Sequence, residues 1–151
     1  ETAFTLEQAA AVHSATIGAL KVSVFVSPFI GRLDGLGYNG MGLIENIMKM
    51  YRQENSHVEL LVASVRTMEH FLMSLHLQAD IVTCPYKILK QWGDDGTPMP
   101  DSNFEYDAGK FKSIAYKEID LKKPWHEIGF THELIDKGVA AFAEDWTKLT
   151  C

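Results

Sequence analysis

Cysteine is scarce in this 151-residue chain. The two present, Cys84 and Cys151, are too few for the disulfide framework of a small secreted scaffold, so a reducing cytoplasm is the expected setting. No apolar run approaches the ~20 residues a membrane helix needs, and the first residues read as the end of a strand rather than as a signal peptide; no membrane partner is expected. Basic charge is short as well. Fourteen lysines and arginines face 20 acids, for a net charge of −6 and a pI near 5.4. Nucleic acid and anionic lipid both require a basic field that this chain lacks, although individual arginines still suit a small anion. Metal-ligand spacing is missing: there is no Cys-x-x-Cys, and of the six histidines His70 and His76 fall on different helix faces. Gly35, Gly37, Gly40 and Gly42 match neither the dinucleotide fingerprint nor the P-loop and read as a flexible loop over residues 31 to 42. Internal repeats and low-complexity tracts are absent too.

What the chain does have is an apolar fraction of 46%, sufficient for the core of one domain. Val22 to Arg32 is an apolar, β-branched run that stops at Ser27-Pro28 and is followed by Gly31-Arg32. It reads as a buried strand ending at Ser27, because Pro28 lacks a backbone N–H. Val58 to Val62 is a second strand, ending in Ala63-Ser64-Val65-Arg66, and Ile81 to Thr83 a short third, ending in Cys84-Pro85. Glu1 to Phe4 reads as the tail of a strand already under way, which leads us to expect an amino terminus cut from something longer. Thr5 then offers a helix N-cap, and Gln8 completes a capping box.

Helical periodicity follows each strand signal. The sequence predicts helices over Leu6 to Leu20, over a segment bearing Ile44, Ile47, Met48 and Tyr51 on one face, over Met68 to Gln78 with Leu72 and Leu75 inward, and over Tyr86 to Trp92. Met41, Met48, Met50, Met68 and Met73 read as core. Residues 93 to 129 break the rhythm with turn chemistry, Asp94-Asp95 among it, and predict an irregular excursion packed over the barrel face. Ile135, Val139, Phe142, Trp146 and Leu149 then mark a closing amphipathic helix. The pattern is an α/β fold of about four βα units, which calls for a parallel sheet with right-handed crossovers. A (β/α)₈ TIM barrel has eight units and ~250 residues, so residues 1 to 151 are expected to be a single partial domain, its carboxyl-terminal half.

In parallel α/β sheets ligands sit beyond the carboxyl ends of strands, which groups Ser27, Arg32, Ser64 and Arg66. Two hydroxyls and two guanidinium groups there suit a phosphate monoester. Schiff-base chemistry would need a desolvated lysine, and none ends a buried strand: Lys21 precedes its strand, and Lys49, Lys87, Lys90 and the later lysines fall on helices or in the polar excursion.

The quoted segments carry a resemblance. Val26-Ser27-Pro28-Phe29-Ile30-Gly31-Arg32 resembles the Ile-Ser-Pro-Phe-Val-Gly-Arg signature of transaldolases, and Ala63-Ser64-Val65-Arg66 resembles their Ala-Ser-Phe-Arg segment. Phe4-Thr5-Leu6-Glu7-Gln8-Ala9 is similar to the family's fifth strand-to-helix turn, and Ala79 to Pro85 and the final helix through Asp145-Trp146 also fit. Nearly the whole chain is similar to the carboxyl-terminal half of a transaldolase, and more distantly to the fructose-6-phosphate aldolases. The resemblance implies transfer of a dihydroxyacetone unit between sugar phosphates, in the pentose phosphate pathway, through a lysine Schiff base and without metal or organic cofactor. Ser27 would lie beside the Schiff-base carbon, Arg32, Ser64 and Arg66 would hold the substrate phosphate, and Phe29 would line the pocket.

The family's lysine and acidic proton-transfer residues fall upstream of Glu1, so the nucleophile is outside this chain. The family's Asn-x-Thr pattern puts its threonine at Glu1 in a gapless match and at Thr2 after a one-residue shift. Half a barrel also leaves outer strands and core uncovered, so the expected partner is a complementary amino-terminal half-barrel segment or a second copy of the chain. Two further functions stay open: a non-catalytic sugar-phosphate-binding or self-associating half-barrel, and aldol cleavage of the fructose-6-phosphate aldolase type.

Overall fold

In the computed structural model, which describes residues 2–150, four strands pair in chain order and all in parallel. β1 (Thr2–Ala3) lies beside β2 (Phe25–Pro28), β2 beside β3 (Glu59–Val62), and β3 beside β4 (Ile81–Val82). Helices fill the crossovers: α1 (Leu6–Ala15) follows β1, α2 (Ile30–Gly35) and α3 (Gly40–Gln53) follow β2, and α4 (Met68–His76) follows β3, with α5 (Tyr86–Asp94) after β4. A parallel sheet with helical crossovers is the α/β architecture expected, and it is consistent with part of a TIM barrel. Among the described residues no helix is long and apolar enough to cross a membrane.

Strand side chains alternate with period two. Val26, Pro28, Leu60 and Val62 are buried, in one core with Ile30, Met41, Ile44 and Ile47 of α2 and α3, whereas Phe25, Ser27, Glu59 and Leu61 occupy the other face and are only half-buried. Met41, Met48, Met50 and Met73 are buried as expected, and Met68 packs against the same core. Local chemistry explains the helix starts. The Thr5 side chain accepts from the Gln8 amide at 3.1 Å, and the Gln8 side chain returns the bond to the Thr5 amide at 3.2 Å, closing the predicted capping box. Asn39 caps α3 and Thr67 caps α4 by one side-chain bond each, accepting from the Gly42 and His70 amides.

Several boundaries differ from the sequence reading. β2 does not stop at Ser27: it runs through Pro28, whose carbonyl accepts from the Ala63 amide at 3.0 Å, so the ladder uses the one backbone group proline retains. α1 ends at Ala15 rather than Leu20, because Gly18 takes a positive φ and the chain turns there. The expected loop over residues 31 to 42 contains α2, and Gly40 and Gly42 belong to α3. α4 buries His70, Phe71, Met73 and Ser74 most deeply; of the two leucines expected inward, Leu75 packs against the core while partly buried and Leu72 is half-buried. α5 carries on through Asp94, so the irregular excursion starts at residue 95 rather than 93; residues 95 to 129 hold one 3₁₀ turn, at Trp125–Glu127. They form a strap that packs along α1, α3 and α4. Asp101 reaches His76 of α4, the Ile114 carbonyl accepts from Asn46 of α3, and Lys117 pairs with Glu7 of α1. The closing helix exists as α6 (Glu133–Thr150), but Val139, Phe142, Trp146 and Leu149 are exposed.

Candidate functional site

Parallel pairing delivers the segments after β2 and β3 to the same rim of the sheet. They are stitched together there: Phe29 bridges Ala63, the Ile30 amide donates to the Ala63 carbonyl, and the Gly31 amide donates to the Ser64 carbonyl, both at 3.1 Å. Ser64 achieves this with φ near +61°, a left-handed conformation costly for a residue with a Cβ.

Arg66 then folds back over α2. A methyl group on Gly31 would lie 2.5 Å from Arg66 Nε, and one on Gly35 would lie 3.8 Å from a terminal guanidinium nitrogen. The side chain therefore lies along the glycine face of this short helix. Arg32, the next residue of α2 after Gly31, turns onto another side and stands 5.6 Å above the Phe29 ring. Both guanidinium-bearing residues are exposed. The structure thus brings Phe29, Arg32, Ser64 and Arg66 to one rim around the first turn of α2. Ser27 sits deeper, in β2, and register pairs it with Thr2 on the half-buried face. Glu1, the other candidate for the threonine position, lies outside the described residues.

Behind Arg66 is a polar pair that spacing arguments missed. The His70 Nδ1 accepts from the Arg66 amide at 3.3 Å, and its Nε2 meets Asp34 at 3.1 Å. The second Asp34 oxygen accepts from the Gly40 amide at 3.0 Å. Burial holds the His70 imidazole below its ordinary range, with Asp34 opposing the shift. Tyr106, its ring 6.0 Å from His70, is pushed up to about 12 by burial and then by Asp34, Glu69 and Asp107. In the sequence His70 had been weighed only as a metal ligand with His76; the usable signal was its position four residues after Arg66, one helical turn on. Beside Arg32, a cavity of about 200 Å³ opens between Phe4, Phe29 and Arg32 on one wall and Leu134, Ile135 and Val139 of α6 on the other.

A protein-family model described as transaldolase/fructose-6-phosphate aldolase matches residues 2–151. The chain belongs to this family. Among curated relatives it is similar to a probable transaldolase of Dehalococcoides mccartyi, 35% identical over 111 residues, covering 74% of this chain and 50% of the relative. A probable transaldolase of Bdellovibrio bacteriovorus is 30% identical over 134 residues, 89% of this chain and 45% of the relative. One of Chlorobaculum parvum is 42% identical over 91 residues, 58% and 40%. The chain therefore spans about half the length of the curated relatives it matches.

Membership in the transaldolase/fructose-6-phosphate aldolase family directs attention to the lysines. None lies on β1 to β4: Lys21 is exposed in the turn before β2, Lys49 on α3 covers the Tyr116 ring at 4.1 Å, and Lys87 and Lys90 are exposed on α5. The site assembled here from described residues offers cations and hydroxyls at the rim, without an amine among them.

Proposed function

We propose that this chain supplies the phosphate-binding side of a transaldolase-like site that moves a dihydroxyacetone unit between sugar phosphates in the pentose phosphate pathway. The observation that carries the reading is the placement of Arg32 and Arg66 on either side of the first turn of α2, at the carboxyl rim of the sheet. In this reading Arg32, Ser64 and Arg66 hold the phosphate, Phe29 lines the pocket beneath Arg32, and Ser27, with Thr2 beside it, faces the reacting carbon. The vertical separation suits the substrate: a sugar phosphate carries its anion at one end and its carbonyl near the other, so the phosphate stays at the rim while the carbonyl reaches down to β2.

The chemistry needs a lysine amine, which condenses with the ketose carbonyl and loses water. A base then takes the proton of the hydroxyl on the β-carbon, the bond between the α- and β-carbons breaks, and the aldose phosphate leaves as an aldehyde; the three-carbon enamine that remains on the amine attacks the acceptor aldehyde, and water releases the new ketose. In this reading that lysine lies outside this chain, on a complementary amino-terminal half-barrel segment. The half-buried face bearing Phe25, Ser27, Glu59 and Leu61 is the surface such a partner would complete. Borohydride reduction of the complete assembly in the presence of fructose 6-phosphate, followed by intact-mass analysis, tests the mechanism: a covalent adduct is expected, and its absence rejects the Schiff base.

The lack of a strand lysine favours a second reading, a sugar-phosphate-binding half-barrel without turnover. It predicts phosphate-ester binding with no adduct. Aldol cleavage in place of transfer is separated by product analysis with and without an acceptor aldehyde.

A further inference from the structure

We infer that His70 is a positioning residue of the rim site: bridging the Arg66 amide and the Asp34 carboxylate, it fixes how Arg66 is presented across α2. The inference rests on the sugar-phosphate reading of Arg66.

Arg66 is exposed, and a long cationic side chain at a surface ordinarily samples many rotamers. Here its backbone is tied at short range. The Arg66 amide donates to His70 Nδ1 at 3.3 Å, and the Thr67 hydroxyl accepts from the His70 amide at 3.2 Å, so residues 66 and 67 are both anchored to residue 70. His70 is anchored in turn. Its side chain is buried, its Nε2 lies 3.1 Å from Asp34, and its carbonyl receives the Ser74 hydroxyl at 2.7 Å. Asp34 belongs to α2, the helix that carries Arg32 and whose Gly31 and Gly35 face Arg66. The imidazole is thus a strut between the segment that carries one guanidinium group and the helix that carries the other.

The two bonds also dictate the protonation state. Nδ1 accepts from the Arg66 N–H, so it carries a lone pair, and the proton resides on Nε2, where it points at the carboxylate. A second proton would set Nδ1–H against the Arg66 N–H and release that end of the strut. The groups facing His70 are Asp34 from α2, Glu69 from its own helix, Arg66 from the preceding segment and Tyr106 from the strap. His70 makes no contact with the proposed substrate pocket, so its action is through Arg66.

The test is calorimetric titration of the intact protein with fructose 6-phosphate, alongside thermal melts. His70→Phe, which fills the space without either bond, is expected to weaken binding about 5- to 30-fold. His70→Asn, which keeps an acceptor near the Arg66 amide, is expected to recover most of that loss. In an Arg66→Ala background His70→Phe is expected to add nothing further, a result that a merely structural histidine would not produce. A folded His70→Phe variant that binds as the parent does, or an equal loss in the Arg66→Ala background, overturns the positioning role alone. A parent that fails to bind fructose 6-phosphate overturns the sugar-phosphate reading and this role with it. Nitrogen-15 NMR of the imidazole supplies a check that needs no variant: the Nε2–H tautomer is expected at pH 7, and the Nδ1–H tautomer overturns the inference.

Discussion

Gly40 abuts Ile30 so closely that a methyl group on its α-carbon would lie 2.5 Å from the Ile30 carbonyl oxygen. Gly31 is equally confined, but its neighbours are the Ser64 carbonyl and the Arg66 side chain, each at 2.5 Å from such a methyl. In both cases a backbone oxygen must move, and overpacking of this kind costs on the order of 1–3 kcal/mol. Gly31→Ala and Gly40→Ala should both lower the unfolding free energy in denaturant melts. Gly31→Ala alone should also weaken fructose 6-phosphate binding, because only there does the intruding carbon displace Arg66. Equal affinities for the two variants would separate Arg66 from the phosphate.

Arg32→Ala and Arg66→Ala should each weaken phosphate-ester binding by about 1.5–3 kcal/mol, the worth of a charged hydrogen bond. If both cations grip one anion, their effects couple, and the double variant should lose measurably less or more than the two single losses added. Strict additivity in calorimetry would mean two separate anion sites. Arg66→Lys should not restore affinity, since an ammonium lacks the planar fork that lies along the glycine face of α2.

The strands and caps were legible in the chain because their signals are local. Alternation placed β2 and β3, and Thr5 with Gln8 announced α1 at the right residue. α2 was hidden by its composition: a six-residue helix with a glycine at its second and sixth positions reads as a loop, and its glycines serve packing rather than flexibility. The burial of His70 on α4 was not legible from periodicity, because Asp34 and the Arg66 amide, which hold it inward, come from other segments of the chain. Periodicity announced the α6 stripe without saying what covers it, and Phe142 and Trp146 remain 76% and 68% exposed. Arg32 and Arg66 were placed at one rim by strand-end logic alone; the Gly31 seat and the His70 strut depend on contacts between α2 and the segment after β3, which no spacing rule encodes.

Gln8 carries more than a cap. Its side-chain oxygen accepts from the Phe4 amide at 2.7 Å and the Thr5 amide at 3.2 Å, while its nitrogen donates to the Phe130 carbonyl at 2.9 Å. It thus joins β1, α1 and the segment leading into α6. Gln8→Leu keeps the volume but removes the Phe4, Thr5 and Phe130 partners together, and the buried Phe4 amide left unmet costs about 1–3 kcal/mol by itself. Thr5→Ala removes one cap bond and should cost about 1 kcal/mol. In thermal melts Gln8→Leu should fall well below Thr5→Ala, and the reverse order would show that the Phe130 connection contributes nothing.

Acid should loosen this chain before its carboxylates titrate. Burial holds both His70 and His13 below the ordinary imidazole value of 6.5; for His13 the neighbouring His57, its ring 4.9 Å away, acts in the same direction, and Glu54 opposes. As pH falls through 6.5 the unfolded chain takes up protons that the folded chain resists, so the unfolded state binds more protons and stability declines. Well above 6.5 neither state is protonated and stability is retained in full. Each histidine contributes a slope of at most about 1.4 kcal/mol per pH unit. Denaturant melts at pH 7.5 and 5.5 should therefore show a lower unfolding free energy at the acid value, and His13→Gln should flatten part of that difference. A curve that is level between those two points would mean that neither imidazole is held neutral by its surroundings, and that the Nδ1 lone pair facing Arg66 does not control the protonation of His70.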